Sequence, residues 1–309
     1  MKILGIGNAI VDVICKVNEN FISENNLTKG TMKLIFEEKE FQNLLSNLKI
    51  ERTISGGSVA NSIVGLSQLG DEVGFIGKIS DDDLGNKYEV GLKNENVKYF
   101  YSKKKEKLPT GTCLILVTPD SERTMCTFLG TAGQINENDI NLDAVNKSEL
   151  IFLEGYLWDE GNPKKAFEKA IKNSKKVAMS LSDKFCVERH KLHFLNLVKN
   201  KLDIIFANEE EIMSLIDTNN FDEVINFAKE INKHLIITRG EKGAISILRD
   251  KISEIGVKKN LKIVDLTGAG DLFAAGYLHE LLKNSSPKKC LEKGTELSSR
   301  IIQQIGARF

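Results

Sequence analysis

Short apolar runs punctuate the chain at 3–6, 73–76, 150–153, 177–181, 204–207 and 235–238. Runs of this length without polar alternation suit strands covered on both faces, as in a parallel sheet. Between them lie segments in which apolar residues return every three or four positions. Segment 60–69 turns Ile63, Val64 and Leu66 to one side, and 166–171, 192–198 and 221–231 carry the same amphipathic pattern. A repeated order of strand, helix and strand requires right-handed crossovers, which put helices on both faces of the sheet. The pattern predicts an α/β fold: one domain over residues 1–309, three layers deep (α/β/α), with a mostly parallel central sheet.

Two stretches, 13–50 and 99–129, depart from that rhythm. Thr112 to Val117 is rich in β-forming residues, Thr118-Pro119-Asp120-Ser121-Glu122 has turn composition, and Arg123 to Phe128 resumes the strand pattern. This predicts a hairpin in a small β-sheet, discontinuous in sequence, that sits over a pocket as a lid. The run Lys103 to Lys107 reads as a solvated loop tip.

Composition removes several function classes. The 43 basic and 43 acidic side chains cancel, so the basic excess that draws a protein to nucleic acid or anionic lipid is missing. No run approaches the ~18 apolar residues of a membrane span. Cys15, Cys113, Cys126, Cys186 and Cys290 are odd in number and include no C-x-x-C pair. They argue against a disulfide framework or a zinc site and suit free thiols in a cytoplasmic setting. Asn8 and Asp12 interrupt the apolar opening, which reads as a strand and not as a signal peptide.

Chemistry concentrates in a few loops. Val264-Asp265-Leu266-Thr267-Gly268-Ala269-Gly270-Asp271 precedes a helical pattern. Small residues there let N–H groups converge on an anion, and a helix N-terminus adds about half a positive charge. Asp271, held ionised at the helix start, then faces whatever the cradle binds. That suits phosphoryl transfer to an alcohol, where the hydroxyl proton leaves late and a weak base suffices. A plain glycine turn with Asp271 as a cap is the competing reading. Upstream, Gly56 and Gly57 allow close approach of a ligand, and Asn61 offers a donor and an acceptor to a sugar hydroxyl. Gly5-Ile6-Gly7-Asn8-Ala9-Ile10 lacks the third glycine of a dinucleotide fingerprint, which disfavours a nicotinamide-dependent dehydrogenase. It puts Asn8 and Asp12 at the carboxyl end of a strand, where ligands bind, with Asp12 suited to a vicinal diol. Glu211, in Asn208-Glu209-Glu210-Glu211, is either a helix-dipole partner or a group ordering water around Mg²⁺. The bend Thr238-Arg239-Gly240-Glu241-Lys242-Gly243 can admit a nucleotide. His190 and His193 read as a surface helix, and Asp81-Asp82-Asp83 as a helix cap.

Together these motifs resemble the ribokinase-like, or PfkB, family of carbohydrate and nucleoside kinases over nearly the whole chain. Gly268-Ala269-Gly270-Asp271 and Gly56-Gly57-Ser58-Val59-Ala60-Asn61 carry most of the likeness. The resemblance implies an ATP-dependent kinase acting on a small molecule, with Asp271 as base and the amides of Gly268, Ala269 and Gly270 as anion hole. It implies that Asn208 and Glu211 organise Mg²⁺ and phosphates, Glu211 through water, and that Thr238, Gly240 and Gly243 form the nucleotide loop. Asp265 falls where members often bind a monovalent cation. Leu266 departs from the small residue or threonine usual after it, which counts against K⁺ activation. The Gly-Asn-x-x-x-Asp spacing of Asn8 and Asp12 is similar to that of adenosine kinases. So are Thr110-Gly111-Thr112-Cys113 with Arg123, and the segments 154–159 and 180–183. On that likeness Asn8, Asp12, Gly56, Gly57, Asn61 and Arg123 bind substrate and the 5′-hydroxyl of adenosine is the acceptor; a sugar such as ribose or fructose is the alternative. The resemblance also implies a monomer or a lid-mediated homodimer. P-loop and protein-kinase signatures are missing.

Overall fold

Fourteen strands form among the described residues, 1–120, 122–158 and 163–309, of the computed structural model. In chain order they begin with β1 (Ile3–Ile6), β2 (Ile10–Lys16), β3 (Met32–Ile35), β4 (Ile50–Ser55), β5 (Val73–Ile76), β6 (Lys98–Tyr99) and β7 (Gly111–Val117). The rest are β8 (Arg123–Phe128), β9 (Leu150–Glu154), β10 (Val177–Ser180), β11 (Ile204–Asn208), β12 (His234–Thr238), β13 (Ala244–Leu248) and β14 (Lys251–Ile255). Ser121 and Asp159, cited above, lie outside the described residues.

The apolar runs became the inner strands of a nine-stranded sheet ordered β14-β13-β12-β11-β10-β9-β1-β5-β6. Its pairings are parallel except for β12 with β13 and β13 with β14. β1 and β5 are buried at every position, as strands covered on both faces must be. Strand order reverses around β1, which lies between β9 and β5, and open α/β sheets bind ligands at the carboxyl ends beside such a reversal. Asn8 follows β1, while Glu154, Ser180, Asn208 and Thr238 end β9, β10, β11 and β12.

The second sheet runs β3-β8-β7-β2-β4. Its antiparallel β7–β8 hairpin sets Leu114 opposite Cys126 and Val117 opposite Arg123. The sheet is wider at its N-terminal side than the 13–50 stretch, because β2 starts at Ile10 and β4 ends at Ser55. Ile10 and Val11, both buried, already alternate between its faces. The stretch from 99 joins this sheet only at Gly111, since Lys98–Tyr99 pairs with β5 instead.

Two helices carry the site. Helix Ser58–Gln68 packs against helix Ala269–Leu282 so closely that a Cβ on Gly65 would lie 2.8 Å from Leu272 Cδ1 and 3.0 Å from Ala275 Cβ. Helix Ala269–Leu282 is buried continuously from Leu272 to Glu280, as expected of a helix apolar all round. A polar triangle fastens it to the sheet: Tyr277 Oη and Ser246 Oγ are 2.8 Å apart, with His234 Nε2 2.8 Å from the phenol and 2.9 Å from the hydroxyl. Burial pushes His234 down to about 4, so this imidazole is neutral at physiological pH.

In helix Lys184–Asn200, Phe194, Leu197 and Val198 face inward, but Leu192 is 81% exposed. The backbone at His190 is non-helical (φ −119°, ψ 19°), which shifts the phase of the apolar stripe. His193 meets Lys164, and no group of three or more metal-ligating side chains exists among the described residues. No helix there is long and apolar enough to cross a membrane.

Asp82 caps helix Asp83–Asn94, accepting from Gly85 N at 2.7 Å, Thr110 Oγ1 at 2.7 Å and Thr110 N at 2.8 Å. One carboxylate thus ties the helix to the segment entering β7. Asp82→Ala should cost about 1–2 kcal/mol in urea unfolding, the upper range for losing a cap; an unchanged midpoint would discount this tie.

Candidate active site

The two glycine-rich loops meet at one carboxylate. Gly57 ends the turn after β4 with φ +97°, and a Cβ there would fall 2.2 Å from the Asn8 carbonyl oxygen. Only glycine fits, and helix Ser58–Gln68 therefore starts directly over the end of β1. Its first turn aims Ser58 Oγ at Asp271 Oδ1 (2.6 Å) and Asn61 Nδ2 at Asp271 Oδ2 (2.9 Å). Ser62 Oγ donates to the Asp271 carbonyl at 2.9 Å. Gly268, with φ +78°, opens helix Ala269–Leu282 from the other side and packs against Ala307. Asp271 sits in the first turn, as its sequence position indicates, but its charge is less secure than the dipole argument implies. Burial pushes the carboxyl up to about 6, and the Ser58 and Asn61 hydrogen bonds only partly oppose this.

Two cavities adjoin at this point. The larger, about 510 Å³, is walled by Asp12, Ile14, Tyr88, Ile115, Arg123 and Arg308, with Asn61 at its inner end. Asp12 lies on β2 of the second sheet and not in the loop after β1, so its carboxylate faces the cavity from the roof. No donor among the described residues bonds it, and burial pushes it up to about 7. Gly56 lies against that carboxylate and donates its N–H to Ile10 O at 2.6 Å. Asn8 is buried beneath, donating to Glu154 Oε1 at 3.0 Å, while Glu154 Oε2 accepts from Val59 N at 3.0 Å. Glu154 thereby seats both Asn8 and the start of helix Ser58–Gln68.

Asp265 is tied into the protein by four hydrogen bonds. Oδ1 accepts from Thr267 N (3.0 Å) and Thr267 Oγ1 (2.7 Å), and Oδ2 from Arg123 Nη1 (2.7 Å) and Gly306 N (2.8 Å). Four donors fill the four lone-pair positions of a carboxylate. The side chain is therefore a structural hub, with its charge matched by Arg123. Arg123 in turn is an ion-pair partner first and a cavity-lining residue second.

The second cavity, about 360 Å³, is lined by Ser58, Asn208, Glu211, Thr238, Leu266 and Gly268 through Asp271. Gly270 opens onto free space, where even a Cβ would touch nothing within 4 Å. Asn208 and Glu211 form a reciprocal capping box: Glu211 N donates to Asn208 Oδ1 (2.8 Å), Asn208 N to Glu211 Oε2 (3.0 Å) and Asn208 Nδ2 to Glu211 Oε1 (2.6 Å). Burial pushes Glu211 up to about 7. Gly240 and Gly243 build the β12–β13 turn and do not line this cavity, whereas Thr238 does. Tyr156, Ser180 and Ser182, from the adenosine kinase-like segments, form its far wall.

Three polar residues at the site carry no role in the motif reading. Ser58 was visible as the first helical residue after the glycine pair. Glu154 stands at the end of an apolar run, where a carboxylate is out of place in a buried strand. Arg308 has no sequence signal: its Nε donates to Asn61 Oδ1 at 3.0 Å across 247 positions.

Comparison with known proteins gives a consistent family. The family model described as pfkB family carbohydrate kinase matches residues 26–309. The crystal structure of adenosine kinase from Sinorhizobium meliloti superposes with a TM-score of 0.91 at 34% identity, covering 100% of this chain and 95% of that one. Adenosine kinase 2 of Arabidopsis thaliana is 25% identical, over 99% of this chain and 95% of that protein. The 5-dehydro-2-deoxygluconokinase of Mesomycoplasma hyopneumoniae (strain 7448) is 27% identical, over 87% of this chain and 83% of that protein.

The buried carboxyls have a cost that depends on pH. Glu154 and Glu211 are raised from 4.5 to about 7 by burial. A carboxyl whose folded value lies above its unfolded value stabilises the fold fully below the unfolded value and loses that contribution as pH rises through the folded one. The ligand-free protein should melt at lower temperature at pH 8.5 than at pH 6.5, by roughly 2–4 °C per kcal/mol lost. Equal melting temperatures across that window would show that these carboxyls are not held protonated.

Proposed function

The chain belongs to the pfkB family of carbohydrate kinases, ATP-dependent enzymes, and within it we propose that this one transfers the terminal phosphoryl group of ATP to the 5′-hydroxyl of adenosine. The observation that carries the reading is Asp271, held by Ser58 and Asn61 where two cavities adjoin and standing in the first turn of the glycine-opened helix. ATP phosphates suit the smaller cavity, with the amides of Gly268, Ala269 and Gly270 and the helix N-terminus as anion hole. The acceptor suits the larger one, where Asp12 offers an unbonded carboxylate to a ribose diol and Val11, Ile14 and Ile115 offer apolar surface to a base. Asp271 takes the hydroxyl proton late, while positioned amides balance the charge spread over the transferring phosphoryl oxygens.

Asn208 and Glu211 are hard oxygen donors fixed by their capping box beside the cradle, a set that fits a hydrated Mg²⁺ held through water. Such an ion supplies charge neutralisation on the phosphates. The second sheet roofs the larger cavity through Asp12, Ile14 and Ile115 and acts as a lid that excludes water from the transfer. Likeness to a 5-dehydro-2-deoxygluconokinase favours a second reading, a sugar or sugar-acid kinase with the same transfer machinery.

Assays of purified protein with ATP and a panel of nucleosides and sugars separate the two: the first reading expects adenosine to give the highest kcat/KM, with 2′-deoxyadenosine much poorer. Preference for a sugar would replace it with the second. Asp271→Asn should lower kcat by roughly 10²–10⁴-fold, the span of general-base catalysis, with acceptor binding retained; normal turnover would remove Asp271 from the mechanism. Asp271 must be ionised to accept a proton, and burial sets its value at about 6, so kcat/KM should fall as pH drops through that value. A profile flat down to pH 5 would contradict this.

A further inference from the structure

Arg308 belongs to none of the sequence motifs, yet it reaches the centre of the site. Its segment is anchored on both sides: Gly306 N donates to Asp265 at 2.8 Å, Ala307 packs under Gly268, and Gln304 Nε2 donates to Arg308 O at 2.8 Å. The Phe309 ring stacks on the Arg300 guanidinium, 4.3 Å from its centroid. From this support Arg308 Nε donates to Asn61 Oδ1 at 3.0 Å, and Asn61 Nδ2 donates to Asp271 Oδ2 at 2.9 Å.

The sense of this relay is forced by chemistry. A guanidinium has donors only, an ionised carboxylate accepts only, and the amide between them has one of each end. Were the amide turned over, its NH₂ would face the guanidinium and its oxygen the carboxylate, two repulsive contacts in place of two hydrogen bonds. Without Arg308 only the contact with Asp271 would orient the amide, and its oxygen would lose the donor that holds it from the other side. Arg308 also keeps Nη2 buried with no partner among the described residues, a costly state for a charged donor. A side chain retained only for packing would not need that guanidinium.

We propose that Arg308 is a positioning residue for phosphoryl transfer: it fixes the Asn61 amide so that the NH₂ holds one oxygen of Asp271 and leaves the carboxylate aimed at the acceptor hydroxyl. The kinetic part of the proposal rests on the kinase reading above; the orientation part does not.

Arg308→Met keeps the length of the stem and removes the guanidinium, and Arg308→Lys keeps the charge. In ligand-free protein, the Asn61 side-chain amide proton that bonds Asp271 should resonate downfield by NMR in the wild type, move toward the position of a free amide in Arg308→Met, and return in part in Arg308→Lys. With the acceptor that the wild type uses, Arg308→Met should lower kcat about 10- to 100-fold, the loss that follows a misplaced catalytic group, with KM for ATP unchanged. Arg308→Lys should recover part of it, and Arg308→Met combined with Asn61→Ala should be no slower than Asn61→Ala. Unchanged Asn61 signals, a kcat within twofold of wild type, or losses that multiply in the double variant would each overturn the proposal. If the wild type turns over no alcohol in the panel, the kinase reading fails and the amide signals still decide the role of Arg308.

Discussion

A carboxylate gathered between two helix N-termini is the constraint on which the rest of this molecule depends. Asp271 is drawn away from water by the packing of helix Ser58–Gln68 against helix Ala269–Leu282. Desolvation opposes its charge, and the two side-chain donors it receives recover only part of the loss. Much else in the fold follows from keeping this group in place. Gly65 lets the helices approach, Gly57 and Gly268 let each start where it must, and Glu154 caps one helix from beneath with its own buried carboxyl. The buried triangle of His234, Ser246 and Tyr277 keeps the second helix from sliding along the sheet.

Elements set by local pattern were legible in the sequence. The strands around β1 and the β7–β8 hairpin could be read because continuous apolarity and turn chemistry act over a few residues. The glycine loops and Asp271 could be read because small residues before a helix have few other uses. What could not be read depends on which distant segments meet. Asp12 proved to hang from the second sheet, Asp265 to be saturated by Thr267, Arg123 and Gly306, and Arg308 to reach Asn61. Leu192 shows the local limit, since one non-helical residue was enough to turn the next apolar position to solvent.

On the proposed reading, transfer and recognition are carried by different layers. The anion cradle and Asp271 belong to the large α/β body, whereas Asp12, Ile14, Ile115 and Arg123 come from the second sheet. On that reading, substitutions on the sheet change which alcohol enters without disturbing the groups proposed to move the phosphoryl. Relatives named for a nucleoside and for a sugar acid are what such a division of labour permits.

The saturated carboxylate of Asp265 joins parts of the chain that are distant in sequence. Its partners lie 142 positions away at Arg123 and 41 positions away at Gly306. Closing loops of that size costs chain entropy, so Asp265 holds all its partners only where the second sheet and the C-terminal segment are both docked. Through it the loop leading to Gly268 is tied to the second sheet and to the C-terminal segment. On the proposed reading, the grip on a phosphate is thus a property of the whole chain, since segments far apart in sequence meet at this one knot.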